Sequence, residues 1–257
     1  MNLDVPEFAA FREDSPCPVI TYGLENKDAD VTARQVFFHP RFTEFELSTP
    51  EGRAQVKSPL LGRYNLVNTL GAVASGMAWG IEFSKILKAL ESLSPVPGRF
   101  QAIDVGQPFA VIVDFAHTPD AIERLCGSAR EITKGKLYLL FGCGGDRDRG
   151  KRPLMAEAAS RLADYVVLTS DNPRTEEPLG IINDAKAGLT GKNYLIEPDR
   201  HRAINLILEK ARPGDTVLLA GKGAEDYQEI HGVRHPFSDF RAATEALEHL
   251  GFVGAKV

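Results

Sequence analysis

The residues best equipped for chemistry sit in short stretches, most of them at the end of an apolar run. Leu137 to Phe141 leads into Gly142-Cys-Gly-Gly-Asp-Arg-Asp-Arg-Gly-Lys-Arg-Pro153. Glycines there let main-chain N–H groups approach a ligand, and Arg147, Arg149, Lys151 and Arg152 add positive charge. Pro153 suits the first turn of a helix, so strand, glycine loop and helix N-terminus together read as an anion site rather than a solvated basic turn. The second stretch, Ser170-Asp-Asn-Pro-Arg174, follows Tyr165–Thr169. Arg174 there fits carboxylate recognition, because a guanidinium can bind both oxygens at once. Gly221-Lys-Gly-Ala-Glu225 follows Val217–Ala220 as a further backbone-approach loop, with Glu225 able to receive an ammonium or merely to cap the next segment.

Three weaker features accompany these. Asp114 and His117 end the apolar stretch Phe109–Phe115 as polar groups aimed at the same crevice, although a buried histidine held by backbone is the commoner case. Gly62-Arg-Tyr-Asn65 and Asn68 open a helix, for which plain N-terminal capping suffices. Cys143 reads as a small filler, since no histidine lies nearby in sequence to activate a thiolate. The glycine loop is not a dinucleotide fingerprint, because glycine would be needed where Arg147 stands, and no G-x-x-x-x-G-K-[ST] occurs in the chain.

Positioning these groups requires an α/β scaffold. Strands are predicted at Phe109–Phe115, Lys136–Phe141, Tyr165–Thr169, Tyr194–Glu197 and Thr216–Ala220. Helices are predicted at Asp120–Ile132, Pro153–Ala163, Ile181–Leu189 and His201–Ala211, with a last one near Phe240–Leu250. This alternation predicts a parallel, doubly wound sheet whose strand carboxyl ends share one crevice. Gln101–Val105 should pair with Phe109–Phe115 as a hairpin. Before Pro95-Val-Pro-Gly98, which reads as a linker, short strands at Val19–Gly23, Val31–Phe38, Phe42–Ser48 and Arg53–Lys57 suggest an antiparallel meander, and helices follow at Asn65–Trp79 and Glu82–Leu93.

Composition is ordinary for a globular protein: 257 residues, 43% hydrophobic, 25% charged, net charge −5. Mild acidity argues against a general nucleic-acid binder, so the basic cluster must be local. Three cysteines without metal-like spacing point to a reduced, cytoplasmic setting. No signal peptide and no membrane-spanning apolar run is present.

Taken together the residues resemble the Mur ligases, in particular their E-type, the UDP-N-acetylmuramoyl-tripeptide synthetases. The matching motifs are Gly62-Arg-Tyr-Asn-Leu-Val-Asn68, Val96-Pro-Gly-Arg-Phe100, Val113 to Asp120, Phe141 to Met155, Thr169 to Arg174, and Ala220-Gly-Lys-Gly with Glu225-Asp-Tyr-Gln228. The resemblance implies a Rossmann-like C-terminal domain over residues 99–257, preceded at 1–98 by an incomplete ATP-binding central domain. It implies an ATP-dependent ligase that adds the third residue of the peptidoglycan stem peptide to UDP-MurNAc-L-Ala-D-Glu through an acyl phosphate. The Asp171-Asn-Pro-Arg174 version of the motif marks users of meso-diaminopimelate, which differs from lysine by a second carboxylate. By the family's pattern Arg147, Asp171, Asn172, Pro173, Arg174, Gly221 and Glu225 would hold this amino acid, Arg174 taking its distal carboxylate and Glu225 its distal ammonium. Asn68, Arg99, Asp114 and His117 match positions around ATP, and Lys151 is a further phosphate candidate. The family's UDP-binding domain, P-loop, Mg²⁺-binding residues and carbamylated lysine have no counterpart here. Val5 replaces a usual aspartate and Ala224 a usual histidine. The expectation is therefore a fragment starting partway through the central domain, inactive without the missing N-terminal portion, or else a non-catalytic amino-acid-binding module.

Overall fold

The computed structural model describes residues 1–13 and 15–252. The chain separates into two compact units, Met1–Pro95 and the remainder from Val96. Val96–Gly98 go with the second unit for a steric reason: a Cβ on Gly98 would lie 2.1 Å from the Ala224 nitrogen.

In the first unit a short helix, α1 (Phe8–Glu13), buries no side chain. A four-stranded sheet follows in the order β1 (Tyr22–Gly23), β2 (Val31–Phe38), β3 (Thr43–Thr49), β4 (Gly52–Ser58). Strands β2 to β4 form the expected antiparallel meander, with a two-residue turn at Pro50-Glu51. Strand β1 departs from it: only two residues long, it runs parallel to β2. The seven-residue connection from Leu24 to Asp30 carries the chain back to the start of the sheet rather than folding it into a tight hairpin. Helices α2 (Arg63–Ala78) and α3 (Phe83–Glu91) cover one face. Leu66, Leu70, Val73, Ile86 and Leu90 recur at helical spacing and pack on Val31, Ala33, Phe45, Leu47 and Val56.

The second unit is built on a six-stranded sheet. In chain order its elements are β5 (Gln101–Ile103), β6 (Ala110–Asp114), α4 (Pro119–Arg130), β7 (Leu137–Cys143), α5 (Lys151–Leu162), β8 (Tyr165–Ser170), α6 (Pro178–Lys186), β9 (Tyr194–Ile196), α7 (Arg200–Lys210) and β10 (Thr216–Ala220). A hairpin, β11 (Tyr227–Ile230) with β12 (Val233–Pro236), and α8 (Asp239–His249) complete it. The spatial order is β5-β6-β10-β7-β8-β9, parallel throughout except for the antiparallel β5–β6 pair. Every residue of β7 and β10 is buried, which is why both read as continuous apolar runs rather than alternating ones. Helices α7 and α8 bury Ala203, Ile204, Ile207, Ala243 and Leu247 against Val111, Val113, Tyr138, Leu140, Val217 and Leu219. Helices α4, α5 and α6 pack side by side along the sheet.

The β11–β12 hairpin is not anticipated by the sequence pattern. Its turn, His231-Gly232, has positive φ at both residues (50° and 75°), which the strand twist favours but which asparagine or aspartate signals more clearly than histidine.

Candidate functional site

The site is assembled by backbone contacts between loops at the carboxyl ends of β7, β8 and β10. Strand β7 continues through Gly142 and Cys143, so the glycine loop opens at Gly144. A Cβ on Gly142 would lie 2.7 Å from the Thr169 carbonyl, and one on Gly145 only 1.9 Å from the Pro173 carbonyl. These glycines therefore serve the close approach of the β7 loop to Asp171–Arg174. The Gly145 N–H also donates to the Asn172 carbonyl at 2.9 Å.

The four basic residues do not converge as an anion site. Arg152 is fully buried and is consumed by acids: Nη2 donates to Glu176 Oε1 at 2.6 Å, and Nη1 to Asp184 Oδ2 at 2.9 Å. Arg149 is taken by the same Asp184 at 2.9 Å. Lys151 Nζ donates to the His117 carbonyl at 3.0 Å. Arg147 stays exposed, and its Nη1 donates to the neighbouring Asp146 carbonyl. Glu176 and Asp184 lie 24 and 32 residues from Arg152, so nothing local in the sequence announced them. The paired guanidinium, with a backbone N–H from Asp146, holds the Glu176 carboxyl down at about 2.

Asp171, Asn172 and Pro173 are buried and Arg174 is partly exposed. Arg174 has a left-handed backbone (φ 54°) and is clamped into β11 on both sides: its N–H donates to the Glu229 carbonyl, and its carbonyl accepts from the His231 N–H. Its Nη1 donates to the Gly145 carbonyl at 2.7 Å, and Nε lies 3.8 Å from Glu229 Oε2. A strained non-glycine backbone held by surrounding bonds fixes the direction of a functional side chain.

Gly221 (φ 116°) crosses under Asp171, whose Oδ2 would lie 2.6 Å from an added Cβ. The next residue, Lys222, is fully buried, which the local sequence pattern does not announce. Its ammonium donates to Asn172 Oδ1 at 2.9 Å and to Glu225 Oε2 at 3.2 Å. Asn172 Nδ2 donates to the same Glu225 oxygen at 2.9 Å. The available signal was a lysine between two glycines directly after an all-apolar strand.

Arg99, Asp114, His117 and Lys151 meet beside the β6 end. Asp114 is buried and accepts the N–H groups of Phe100 and Ala116, both at 2.8 Å, and so fixes the turns carrying Arg99 and His117. The Arg99 guanidinium lies 4.9 Å over the Phe115 ring, which meets His117 edge-on at 4.6 Å. His117 is exposed rather than buried, with Nδ1 2.8 Å from the Phe115 carbonyl. Asn68 is exposed on α2 in the first unit. Cys143 is buried, and burial pushes its thiol up to about 12, in keeping with a filler. Among the described residues no group of three His, Cys, Asp or Glu side chains could hold a metal, and no helix is long and apolar enough to cross a membrane.

Beneath the site lies a second feature missed in the sequence. Arg200 and Asp239 are both fully buried and form a bidentate pair with both contacts at 2.7 Å. Arg200 also donates to the carbonyls of Ser170 and Ala220, the last residues of β8 and β10. Burial works against its charge, but the Asp239 carboxylate more than offsets this and raises the guanidinium pKa above its ordinary value.

Two family models match the chain: the Mur ligase middle domain over residues 1–76 and the Mur ligase glutamate ligase domain over residues 98–223. The UDP-N-acetylmuramoyl-L-alanyl-D-glutamate--2,6-diaminopimelate ligase of Bacillus velezensis is 45% identical over 250 residues, 97% of this chain and 51% of its own length. The enzyme of that name from Pseudomonas aeruginosa is 46% identical over 91% of this chain and 48% of its own. A solved structure of a ligase of the same name superposes with a TM-score of 0.70 at 37% identity, covering 97% of this chain and 53% of that one. The chain thus spans about half the length of the relatives it matches.

Proposed function

The chain belongs to the Mur ligase family, and on that premise we propose that it is the acceptor-binding part of an ATP-dependent, amide-forming ligase. The reaction is addition of meso-diaminopimelate to UDP-MurNAc-L-Ala-D-Glu in cytoplasmic peptidoglycan-precursor synthesis. The unit from Val96 onward forms the amino-acid domain, and Met1–Pro95 contributes to the ATP-binding domain. What supports the reading is the Asp171–Arg174 loop at the end of β8, where Asn172 binds Glu225 and Gly221 packs under Asp171, so that one loop system carries both a cation, Arg174, and an anion, Glu225, suited to the zwitterionic end of an amino acid.

In this reading Arg174 takes the distal carboxylate, exchanging its loose contact with Glu229, and Glu225 takes the distal ammonium. Arg147, exposed and without a carboxylate partner among the described residues, adds positive charge beside them. Asp171 and Pro173 hold the loop. Arg99, His117 and Lys151 line the nucleotide side, with Asp114 fixing their turns; Asn68, on α2, is assigned to ATP by the motif resemblance alone. Bound ATP would supply the phosphoryl group that activates the D-Glu side-chain carboxylate of the nucleotide substrate as an acyl phosphate, from which the acceptor amine then displaces phosphate, and Mg²⁺ would neutralise the ATP phosphates. The phosphate loop has no counterpart in the sequence, so turnover requires a polypeptide that supplies it. The 257-residue chain alone is expected to show no ATP hydrolysis and no tripeptide formation.

Calorimetry with meso-diaminopimelate and L-lysine tests the assignment. Removing Arg174 leaves a desolvated carboxylate without a partner, at about 2–5 kcal/mol, or roughly thirty- to several-thousand-fold in affinity. Lysine should bind poorly to the wild type and lose little on Arg174→Ala. Equal weakening of both ligands would make Arg174 structural and remove the diaminopimelate assignment.

A further inference from the structure

We propose that Lys222 is a positioning residue of the acceptor site, setting the one carboxylate oxygen of Glu225 that remains for a ligand ammonium. The inference rests on the acceptor reading above and extends it to a residue outside that binding set.

Lys222 is 0% exposed, so its ammonium cannot itself meet a solvent-borne ligand. Replacing a whole buried ion pair by apolar groups is often neutral or stabilising, so the pair by itself is weak support for stability, and what Lys222 does is read from what its bonds fix. Its bonds identify what it specifies. Asn172 Oδ1 receives two groups that can only donate, the Lys222 ammonium at 2.9 Å and the Glu229 N–H at 3.0 Å. That fixes the orientation of the amide, whose Nδ2 must then point to Glu225. Lys222 and Asn172 converge on one oxygen, Oε2, at 3.2 and 2.9 Å. Among the described residues Oε1 has no hydrogen-bond partner, and the Glu225 side chain is 24% exposed. The carboxylate is therefore pinned through one oxygen and offered through the other. The Tyr227 ring, 5.7 Å from Nζ, closes the far side of the ammonium. Without Lys222 the Asn172 amide loses one of the two donors that orient it, and Glu225 keeps a single neutral contact.

The test compares meso-diaminopimelate with 2-aminopimelate, which keeps both carboxylates and lacks only the distal ammonium. Binding of each to wild type and Lys222→Met is measured by calorimetry, with the buried thiols Cys126 and Cys143 remaining unreactive as the check of folding. Wild type is expected to favour diaminopimelate by roughly ten- to a hundredfold, the worth of a charge-assisted hydrogen bond. In Lys222→Met this preference should collapse, with affinity for diaminopimelate falling and that for 2-aminopimelate unchanged. A merely structural role would weaken both ligands alike, and that result overturns the proposal. If the wild type discriminates and the variant does so equally well, Lys222 has no positioning role while the acceptor reading stands. If the wild type binds neither ligand, both fail together. Should the methionine variant not fold, Lys222→Gln is read by the same criterion, since its amide is one bond shorter and cannot span both oxygens.

Discussion

Asp239→Ala is the sharpest test of how the site is held. Arg200 would keep only the carbonyls of Ser170 and Ala220, at 3.2 and 2.9 Å, and would lose both carboxylate contacts at 2.7 Å. Truncating one partner of a fully buried pair leaves an uncompensated charge and costs about 3–5 kcal/mol. The loss falls on the ends of β8 and β10, one residue before Asp171 and Gly221. Fluorescence of Trp79 would not report it, because that residue lies in the first unit and is 83% exposed. Cys126 and Cys143 would. Both are buried in the second unit with thiols pushed up to about 12 by burial, so they react only when the unit opens. Labelling at about pH 8 should accelerate at both thiols by roughly 150- to 5,000-fold when opening is in rapid equilibrium. Exposed Cys17 serves as an unchanged internal control. The double substitution Arg200→Met, Asp239→Leu should recover most of the protection, because it removes the stranded charge. An acceleration below about tenfold in Asp239→Ala would refute the clamp.

Acid should weaken the second unit in a defined window. The folded Glu176 pKa is held at about 2 against an ordinary 4.5, so the unfolded chain takes up the proton first as pH falls. Stability from this group is complete above 4.5 and lost towards 2, and urea midpoints for Glu176→Gln should be flatter across that range than for wild type. Limited proteolysis followed by mass spectrometry should nick the α1 region, which buries no side chain, and the exposed stretch at residues 94–97, leaving a core from about Arg99. Uniform resistance along the chain would show that the first unit is as well protected as the second.

Much of the architecture was legible in the sequence because it is carried by local pattern. Buried strands such as Thr216–Ala220 are apolar at nearly every position, helix faces repeat at their own period, and Pro-Glu turns or glycines mark the breaks. The resemblance of motifs brought Arg174, Asn172 and Glu225 forward as one group. Charge pairing was beyond reach. The cluster Arg147, Arg149, Lys151 and Arg152 looked like an anion site, yet Arg149 and Arg152 belong to Glu176 and Asp184 on a neighbouring loop and helix. Lys222 stood in the sequence simply as part of a glycine loop and is enclosed by Asn172 and Glu225. Arg200 and Asp239, separated by 39 residues, stand just before the helices predicted at His201–Ala211 and near Phe240–Leu250, and are the buried clamp beneath both site loops. Periodicity is a property of neighbours along the chain. Which acid meets which base is decided by the sheet order, which sets β10 between β6 and β7, and only the closed fold makes the partners neighbours.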